Sequence, residues 1–252
     1  MAAPVVAVFE RHVLVSVRIW QALVFSSFLL PVLFLVGIGV GVGGYVGEIG
    51  GVGYVSWIAP GVLAATAFQI AFGEATYPIF SAFKWIRSYH AMAATPVRPG
   101  DMIVGWLAYV VVRAEVAVLA FLAVISLFGA VHSAWAVAAP LVCGLVAVAV
   151  AAPVAAFSAT IDSDGHFPLV FRFVMIPSTL FAGVFFPVEQ LPAAARPLAY
   201  ASPLWHAVEL SRAATLGGTP PWPVAVHAGY LLLWTAAGAA WARYAFRRRL
   251  QD

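Results

Sequence analysis

Ionisable side chains inside long apolar segments are the first residues of this sequence that could do chemistry. Glu74, Arg113 and Glu115 lie in stretches rich in Ala, Val, Leu and Phe. Charged groups are costly in hydrocarbon, so those that persist there usually pair with each other or line a transport path. Arg113 and Glu115 are two positions apart and would not face each other on a helix. We therefore predict a structural ion pair between Glu74 and Arg113, with direct contact to a substrate as the alternative.

Motifs for ATP hydrolysis and for common hydrolytic reactions are missing from the sequence. Lys84 is the single lysine and follows Phe83, so no G-x-x-x-x-G-K-[ST] phosphate-binding loop exists. H-E-x-x-H and G-x-S-x-G are also absent. The one cysteine, Cys143, excludes an intrachain disulfide and a cysteine-based metal site. We expect a chain that is not itself an enzyme and binds no metal or cofactor, with His206 and His227 in structural roles.

The composition places most of the chain in lipid. The residues are 63% hydrophobic and 9% charged, whereas a soluble domain has roughly 25% charged residues. The formal charge of +3 follows the membrane topology and does not form a nucleic-acid-binding face. Four segments lack Asp, Glu, Lys and Arg, and each is longer than the about 20 residues that cross a bilayer: residues 19–47, 49–73, 116–161 and 213–242.

These segments predict an all-α polytopic membrane protein in which residues 1–252 form a single transmembrane domain. Residues 5–20 place apolar side chains on one helical face and charged ones on another, which predicts an amphipathic helix at the membrane surface. Ten Lys and Arg residues lie on the side of the termini and two on the other side, which predicts that both termini are cytoplasmic. Six spans are predicted, at about 22–43, 55–80, 101–127, within 116–161, at 167–186 and at 223–243.

Two loops between the predicted spans are unusual. The cytoplasmic stretch 80–101 contains a short amphipathic helical pattern, on which a soluble motor domain could push; a basic loop at anionic lipid is the alternative. The external stretch 187–219 is apolar yet interrupted by four prolines, which favours short interfacial or re-entrant helices. The charged and aromatic residues best placed for contact with a motor domain are Lys84, Trp85, Arg87 and Tyr89.

Aromatic residues of spans one, two and five are candidates for an apolar translocation path. Packing within the protein or contact with lipid is the alternative role for these rings. The candidates are Phe34, Phe68, Phe72, Phe181 and Phe185.

The order of these parts resembles the type-2 ABC exporter permeases, above all the branch that includes nodulation-factor and anthracycline-type drug exporters. The most specific phrases are AATPVRPGD at 93–101, FAGVFFPVEQLP at 181–192 and PLWHAVELSR at 203–212. The resemblance covers nearly the whole chain. It implies that residues 83–98 contain a coupling helix for a separate ATPase subunit and that residues 188–216 form external re-entrant helices.

The resemblance also implies a function. The chain would be the permease subunit of an ATP-driven exporter in a bacterial plasma membrane, moving an amphipathic drug, lipid or glycolipid out of the cytoplasm or inner leaflet. Two ATP-binding subunits would carry ATP and Mg, and a second permease, identical or homologous, would complete the path; membrane lipid is the other partner.

A secondary transporter or channel is the alternative, and it would normally show more acidic residues in its spans and an internal repeat. An intramembrane enzyme is the third possibility, and it would need a nucleophile and base at matching depth.

Overall fold

The structure is a computed structural model, and it describes residues 3–18, 21, 25, 29–41 and 43–251. Helix α1 (Pro4–Val17) begins at a proline, whose fixed φ suits a first helical turn. Helices α2 (Leu30–Gly41) and α3 (Gly43–Val46) follow. Strands β1 (Glu48–Ile49) and β2 (Val52–Gly53) then pair antiparallel. This hairpin departs from the all-α prediction, and it forms because two glycines with positive φ make its turn.

The middle of the chain contains the most buried helix. Helix α4 (Tyr54–Ala75) continues after a bend into α5 (Tyr77–Lys84), and α6 (Ser88–Ala93) is short. Helix α7 (Pro99–Leu127) begins with a capping box, in which the Arg98 backbone N–H donates to Asp101 Oδ2 at 2.9 Å. Helices α2 and α7 both pack against α4.

The remaining helices complete the bundle. A 3₁₀ turn (Ala134–Ala138) leads into α8 (Ala139–Thr160). After a second 3₁₀ turn (Asp164–His166), a four-residue α9, a π-helix and a six-residue α10 follow in succession: Phe167–Val170, Phe171–Met175 and Ile176–Phe181. A 3₁₀ turn and three helices end the chain: Val188–Gln190, α11 (Arg196–Tyr200), α12 (Pro203–Leu216) and α13 (Val224–Arg249).

Four helical segments within the described ranges are long and apolar enough to cross a membrane: Tyr54–Lys84, Pro99–Leu127, Ala134–Thr160 and Val224–Arg249. They correspond to the predicted second, third, fourth and sixth spans. The predicted first span, 22–43, lies partly outside the described residues, and α2 is its described helix.

The predicted fifth span, 167–186, is not one regular helix. Its hydrogen bonding changes to the π pattern at Phe171 and its last helical residue is Phe181. The chain then bends at Gly183, whose φ is 75°. The carbonyl oxygen of Gly183 accepts a hydrogen bond of 2.7 Å from Arg212 Nη2, so a contact distant in sequence stabilises the bend.

Close helix contacts depend on particular glycines. A Cβ at Gly238 of α13 would lie 2.5 Å from Pro153 Cδ in α8, and a Cβ at Gly105 of α7 would lie 2.6 Å from the Val5 carbonyl oxygen of α1. Glycine therefore allows α13 to approach α8 and α1 to approach α7. The side chain of Val8 in α1 is buried by this second contact.

Helix α4 with its continuation α5 defines the two ends of the bundle. Its first turns lie beside α12, where the Arg212 guanidinium stands 4.0 Å from the centre of the Trp57 ring. Its last residue, Lys84, precedes α6. We call these the α12 end and the α6 end.

Candidate functional site

The structure brings Glu74 and Arg113 together. Glu74, at the end of α4, contacts Arg113 Nη1 of α7 through its Oε1 atom, and both side chains are largely buried. Glu115, two positions further along α7, lies on the side of α8, because a Cβ on Gly144 would be 2.8 Å from Glu115 Oε1. Arg113 and Glu115 therefore face different helices, as their spacing predicts.

The residues chosen for a motor-domain contact separate into two groups. Trp85 and Ile86, which follow α5, are 59% and 70% exposed. Arg87 has a φ of 55°, a left-handed conformation that turns the chain between α5 and α6. Lys84 Nζ contacts Asp162 Oδ1 at 2.8 Å, so this lysine is partly engaged within its own chain. Trp85, Ile86 and Arg87 therefore form an exposed tip between α5 and α6.

Tyr89 corrects the prediction for this loop. Its side chain is fully buried, with ring centroids 4.9 Å from Phe83 and 5.3 Å from Phe246. Burial raises the pKa of the Tyr89 hydroxyl above its usual range. Tyr89 thus fastens α6 to α5 and α13 and presents no surface to another subunit. A six-residue helix has too few turns for a sequence pattern to fix which face is buried.

The aromatic residues chosen for a path also separate. Phe68 and Phe72 of α4, with ring centroids 6.0 Å apart, line an apolar cavity of about 320 Å³. Phe181 is 43% exposed at the end of α10, and the Phe185 carbonyl oxygen accepts a hydrogen bond of 3.1 Å from the Tyr54 hydroxyl. The side chain of Phe34 lies outside the described residues. The cavity is bounded by α4, α8, the π-helix and α13, with Pro153, Phe157, Val174 and Trp234 among its lining residues.

A buried ion pair at the α12 end was missed by the sequence analysis. Arg212 Nη1 contacts Glu209 Oε1 at 2.5 Å within α12, and each side chain is 12% exposed. Because the same guanidinium also binds the Gly183 carbonyl and covers the Trp57 ring, it joins α12 to the bend after α10 and to α4. The i, i+3 spacing of Glu209 and Arg212 was the available signal, since such pairs share a helical face.

Two histidines meet at the same end. Nδ1 of His206 in α12 lies 2.9 Å from Nδ1 of His227 in α13, and Nε2 of His206 lies 3.0 Å from the Tyr200 carbonyl oxygen. A carbonyl only accepts, so Nε2 of His206 carries the proton and its Nδ1 accepts from His227. Burial, followed by the neighbouring His227, lowers the pKa of His206 to about 4. His206 is therefore neutral near pH 7, and the pair links α12 to α13 as a structural contact.

Comparison with known proteins decides the family. The family model described as ABC-2 type transporter matches residues 4–216. The chain belongs to this family. Nodulation protein J of Rhizobium leguminosarum bv. viciae is 30% identical over 244 residues, which are 97% of this chain and 94% of that protein. Nodulation protein J of Rhizobium meliloti (strain 1021) is 28% identical over 245 residues, with 97% and 93% covered.

Membership of the ABC-2 type transporter family confirms the resemblance read from the sequence. The matched region begins with α1 and ends with α12, so α6 and the α12 end are both parts of the family's domain. An ABC-2 chain with four candidate spans is a membrane component of a bacterial transporter that works with an ATP-binding subunit. Within the part of the chain that the structure describes, no group of three or more His, Cys, Asp and Glu side chains could hold a metal ion.

Proposed function

We propose that this ABC-2 chain is the permease subunit of an exporter that moves an amphipathic substrate, with ATP bound and hydrolysed by separate subunits. The observation that carries the proposal is the family match over residues 4–216, supported by alignment with Nodulation protein J along 97% of the chain. Among drugs, lipids and glycolipids, that similarity favours the nodulation-factor branch over the drug branch.

The proposed topology has six spans with both termini in the cytoplasm. The four candidate spans supply the second, third, fourth and sixth crossings. The segment that contains α2 would supply the first, and the α9 to α10 segment with its π-helix the fifth. In this arrangement the α6 end is cytoplasmic and the α12 end is external, with residues 188–216 as the re-entrant segment and α1 at the membrane surface.

The proposed complex contains two permeases and two ATP-binding subunits. The tip at Trp85, Ile86 and Arg87 is the surface that we assign to the ATP-binding subunit, since two of its side chains are largely exposed and apolar. Helix α6 would act as the coupling helix, because Tyr89 fastens it to α5 and α13. Motion at the tip would therefore reach the membrane bundle.

The apolar cavity beside Phe68 and Phe72 is a candidate part of the substrate path. Its volume of about 320 Å³ is at the low end for ligand sites, which measure roughly 300 to 1,000 Å³. Its lining is almost entirely apolar, which suits the hydrocarbon portion of an amphipathic molecule. We place Glu74 and Arg113 outside the path, as a pair that neutralises two charges between α4 and α7.

Purification in mild detergent tests this proposal. The tagged chain, extracted from its native membrane, is expected to bring with it a subunit that contains a phosphate-binding loop and hydrolyses ATP with inhibition by vanadate. Co-purification should weaken when Trp85 and Ile86 are both replaced by serine and remain unchanged for the exposed control Leu141→Ser in α8. A chain that purifies without such a subunit, in detergent that keeps other ABC complexes assembled, would contradict the proposal.

A further inference from the structure

Three helices end close together at the α6 end of the bundle. Helix α5 ends at Lys84, α8 at Thr160 and α13 at Arg249. Asp162 lies two residues beyond α8, and its Oδ1 atom is 2.8 Å from Lys84 Nζ and 2.9 Å from Arg249 Nη2. Oδ1 of Asp162, a residue that follows α8, therefore links this part of the chain to the ends of α5 and α13.

Electrostatics explain why this carboxylate needs two cations. Helix C-termini carry partial negative charge, so Asp162 would be disfavoured beside these helix ends without compensation. Hydrogen bonds from Lys84 and then Arg249 lower the pKa of the Asp162 carboxyl from 3.8 to about 2, so the charged form is favoured by its two partners. Arg249 Nη2 also donates to the Ile161 carbonyl oxygen at 3.3 Å, which satisfies a backbone acceptor at the end of α8.

This cluster of Lys84, Asp162 and Arg249 lies next to the proposed coupling helix. Only three residues separate Lys84 from α6, and Arg87, the last of them, makes the turn with its left-handed backbone. Helix α6 is fastened to α5 and α13 by the buried ring of Tyr89. The ionic cluster joins the same two helices and adds the end of α8.

The exposure of the cluster suits a contact that is made and broken repeatedly. The Asp162 side chain is 77% exposed and that of Lys84 is 37% exposed. Water can reach both Asp162 and Lys84, so their contact can open without leaving a buried, unpaired charge. The Arg249 side chain is 17% exposed, and its hydrogen bond to the Ile161 carbonyl oxygen remains when Asp162 moves away. A buried ion pair between the same helices would resist every rearrangement.

We propose that Asp162 is a positioning residue that transmits displacement of α6 to α8 and α13 during export. The inference rests on the proposed function, because it requires an ATP-binding subunit that moves α6. It predicts that loss of the carboxylate uncouples ATP hydrolysis from transport and leaves the assembly of the complex intact.

The test uses the full complex reconstituted in lipid vesicles, with movement of a fluorescent amphipathic substrate and ATP hydrolysis measured on the same sample. Asp162→Asn keeps the size of the side chain and removes its charge. We expect the ratio of substrate transported to ATP hydrolysed to fall by roughly 3- to 30-fold, the range for a contact that contributes to coupling. Raising the salt concentration should lower this ratio in the wild-type complex and have little effect in Asp162→Asn.

Two variants serve as controls. Asp164→Asn removes the same charge two residues away, in the 3₁₀ turn, and is expected to keep the wild-type ratio. Asp162→Glu preserves the carboxylate and should recover most of the coupling. A purely structural role would lower transport and hydrolysis together and would not produce this pattern.

Three results would overturn the inference. Asp162→Asn with a wild-type ratio would show that the carboxylate has no part in coupling. Failure of Asp162→Asn to assemble would assign the cluster to assembly instead. A wild-type chain that neither binds an ATP-binding subunit nor transports with ATP would overturn the proposed function itself, and this result is recognised before any variant is compared.

Discussion

The two ends of the bundle use the same kind of ion pair in opposite environments. At the α12 end, Arg212 and Glu209 are each 12% exposed, and the guanidinium also binds a carbonyl oxygen and an aromatic ring. At the α6 end, Asp162 is 77% exposed between Lys84 and Arg249. Coulomb attraction is strong at low dielectric and weak in water, but separating a buried pair is correspondingly costly.

This difference indicates that the α12 end is held rigidly, whereas the ionic contact at the α6 end can open and close. The α12 end adds the hydrogen-bonded pair of His206 and His227 and a close contact between Gly61 and Val184. The α6 end also has buried aromatic contacts, among them those of Tyr89 with Phe83 and Phe246, but its Lys84–Asp162 contact is exposed to water and salt. We therefore expect substitutions at the α12 end to affect stability most, and substitutions at the α6 end to affect coupling.

The largest loss of stability should follow removal of Arg212. Arg212→Met leaves Glu209 buried without its partner, which typically costs about 3–5 kcal/mol. Thermal unfolding of the purified protein in detergent measures this loss. Arg248→Met, at an exposed position in the last turn of α13, is the matched control and should melt close to the wild type. Equal melting temperatures of the two variants would contradict the claim that the α12 end is held rigidly.

Glycines of α4 provide a second comparison within one helix. A Cβ on Gly61 would lie 2.8 Å from the Val184 carbonyl oxygen, whereas a Cβ on Gly73 would meet nothing within 4 Å. Gly61→Ala should destabilise the protein by about 1–3 kcal/mol through overpacking. Gly73→Ala should be neutral or stabilising by up to about 1 kcal/mol, because alanine favours helix. Thermal unfolding measures whether each variant melts below or above the wild type. A Gly61→Ala variant that melts above the wild type would show that the α12 end is loosely packed.

Lowering the pH should reduce the stability contributed by the α12 end first and that contributed by the α6 end only at lower pH. Burial lowers the pKa of His206 from 6.5 to about 4, so between these values the unfolded chain binds a proton that the folded chain excludes. Stability supplied by neutral His206 therefore falls as the pH drops from 6.5 towards 4. The pKa of Asp162 is lowered from 3.8 to about 2, so its contribution is lost only below pH 3.8.

Melting temperatures measured at pH 7 and pH 5 test this order. The decrease from pH 7 to pH 5 should be smaller in His206→Gln, which cannot titrate, than in the wild type. His12, whose pKa burial also lowers to about 4, contributes to the decrease in both proteins, so the difference between them reports on the contact of His206 with His227. An identical decrease in both would exclude His206 as the acid-sensitive group.

The smallest effect on stability is expected at the α6 end. Asp162→Asn removes an exposed charge, and such ion pairs contribute little in water. Its melting temperature should lie closer to that of the wild type than those of Arg212→Met and Gly61→Ala. A decrease in melting temperature as large as that of Arg212→Met would show that the Asp162 cluster holds the α6 end rigidly, and the two ends would then not differ.

The sequence predicted elements that depend on local composition. Long apolar segments located four helices that can span a membrane, and the third span, predicted from about residue 101, begins in the structure at Pro99. The sequence did not predict the shape of the fifth span, which changes to a π-helix at Phe171 and is followed by a bend at Gly183 that is hydrogen-bonded to Arg212, 29 residues further along the chain. Periodicity carries no information about such a contact.

The candidate residues show the same limit. Glu74 and Arg113 could be paired from the sequence because few charges occur in the spans. Tyr89 was misplaced because a six-residue helix does not reveal its buried face. Asp162 and Arg249 are 87 positions apart, and their meeting follows from the packing of α8 against α13, which composition does not encode.

Transport by reconstituted vesicles is the most direct test of the central claim, that this chain exports an amphipathic substrate with energy from ATP. The chain and its co-purified ATP-binding subunit are placed in lipid vesicles, and movement of a fluorescent amphipathic substrate is followed with ATP, with ATP and vanadate, or with a proton or sodium gradient. We predict transport with ATP, its loss with vanadate and no transport with either gradient. Transport driven by a gradient without ATP would contradict the account and identify a secondary transporter.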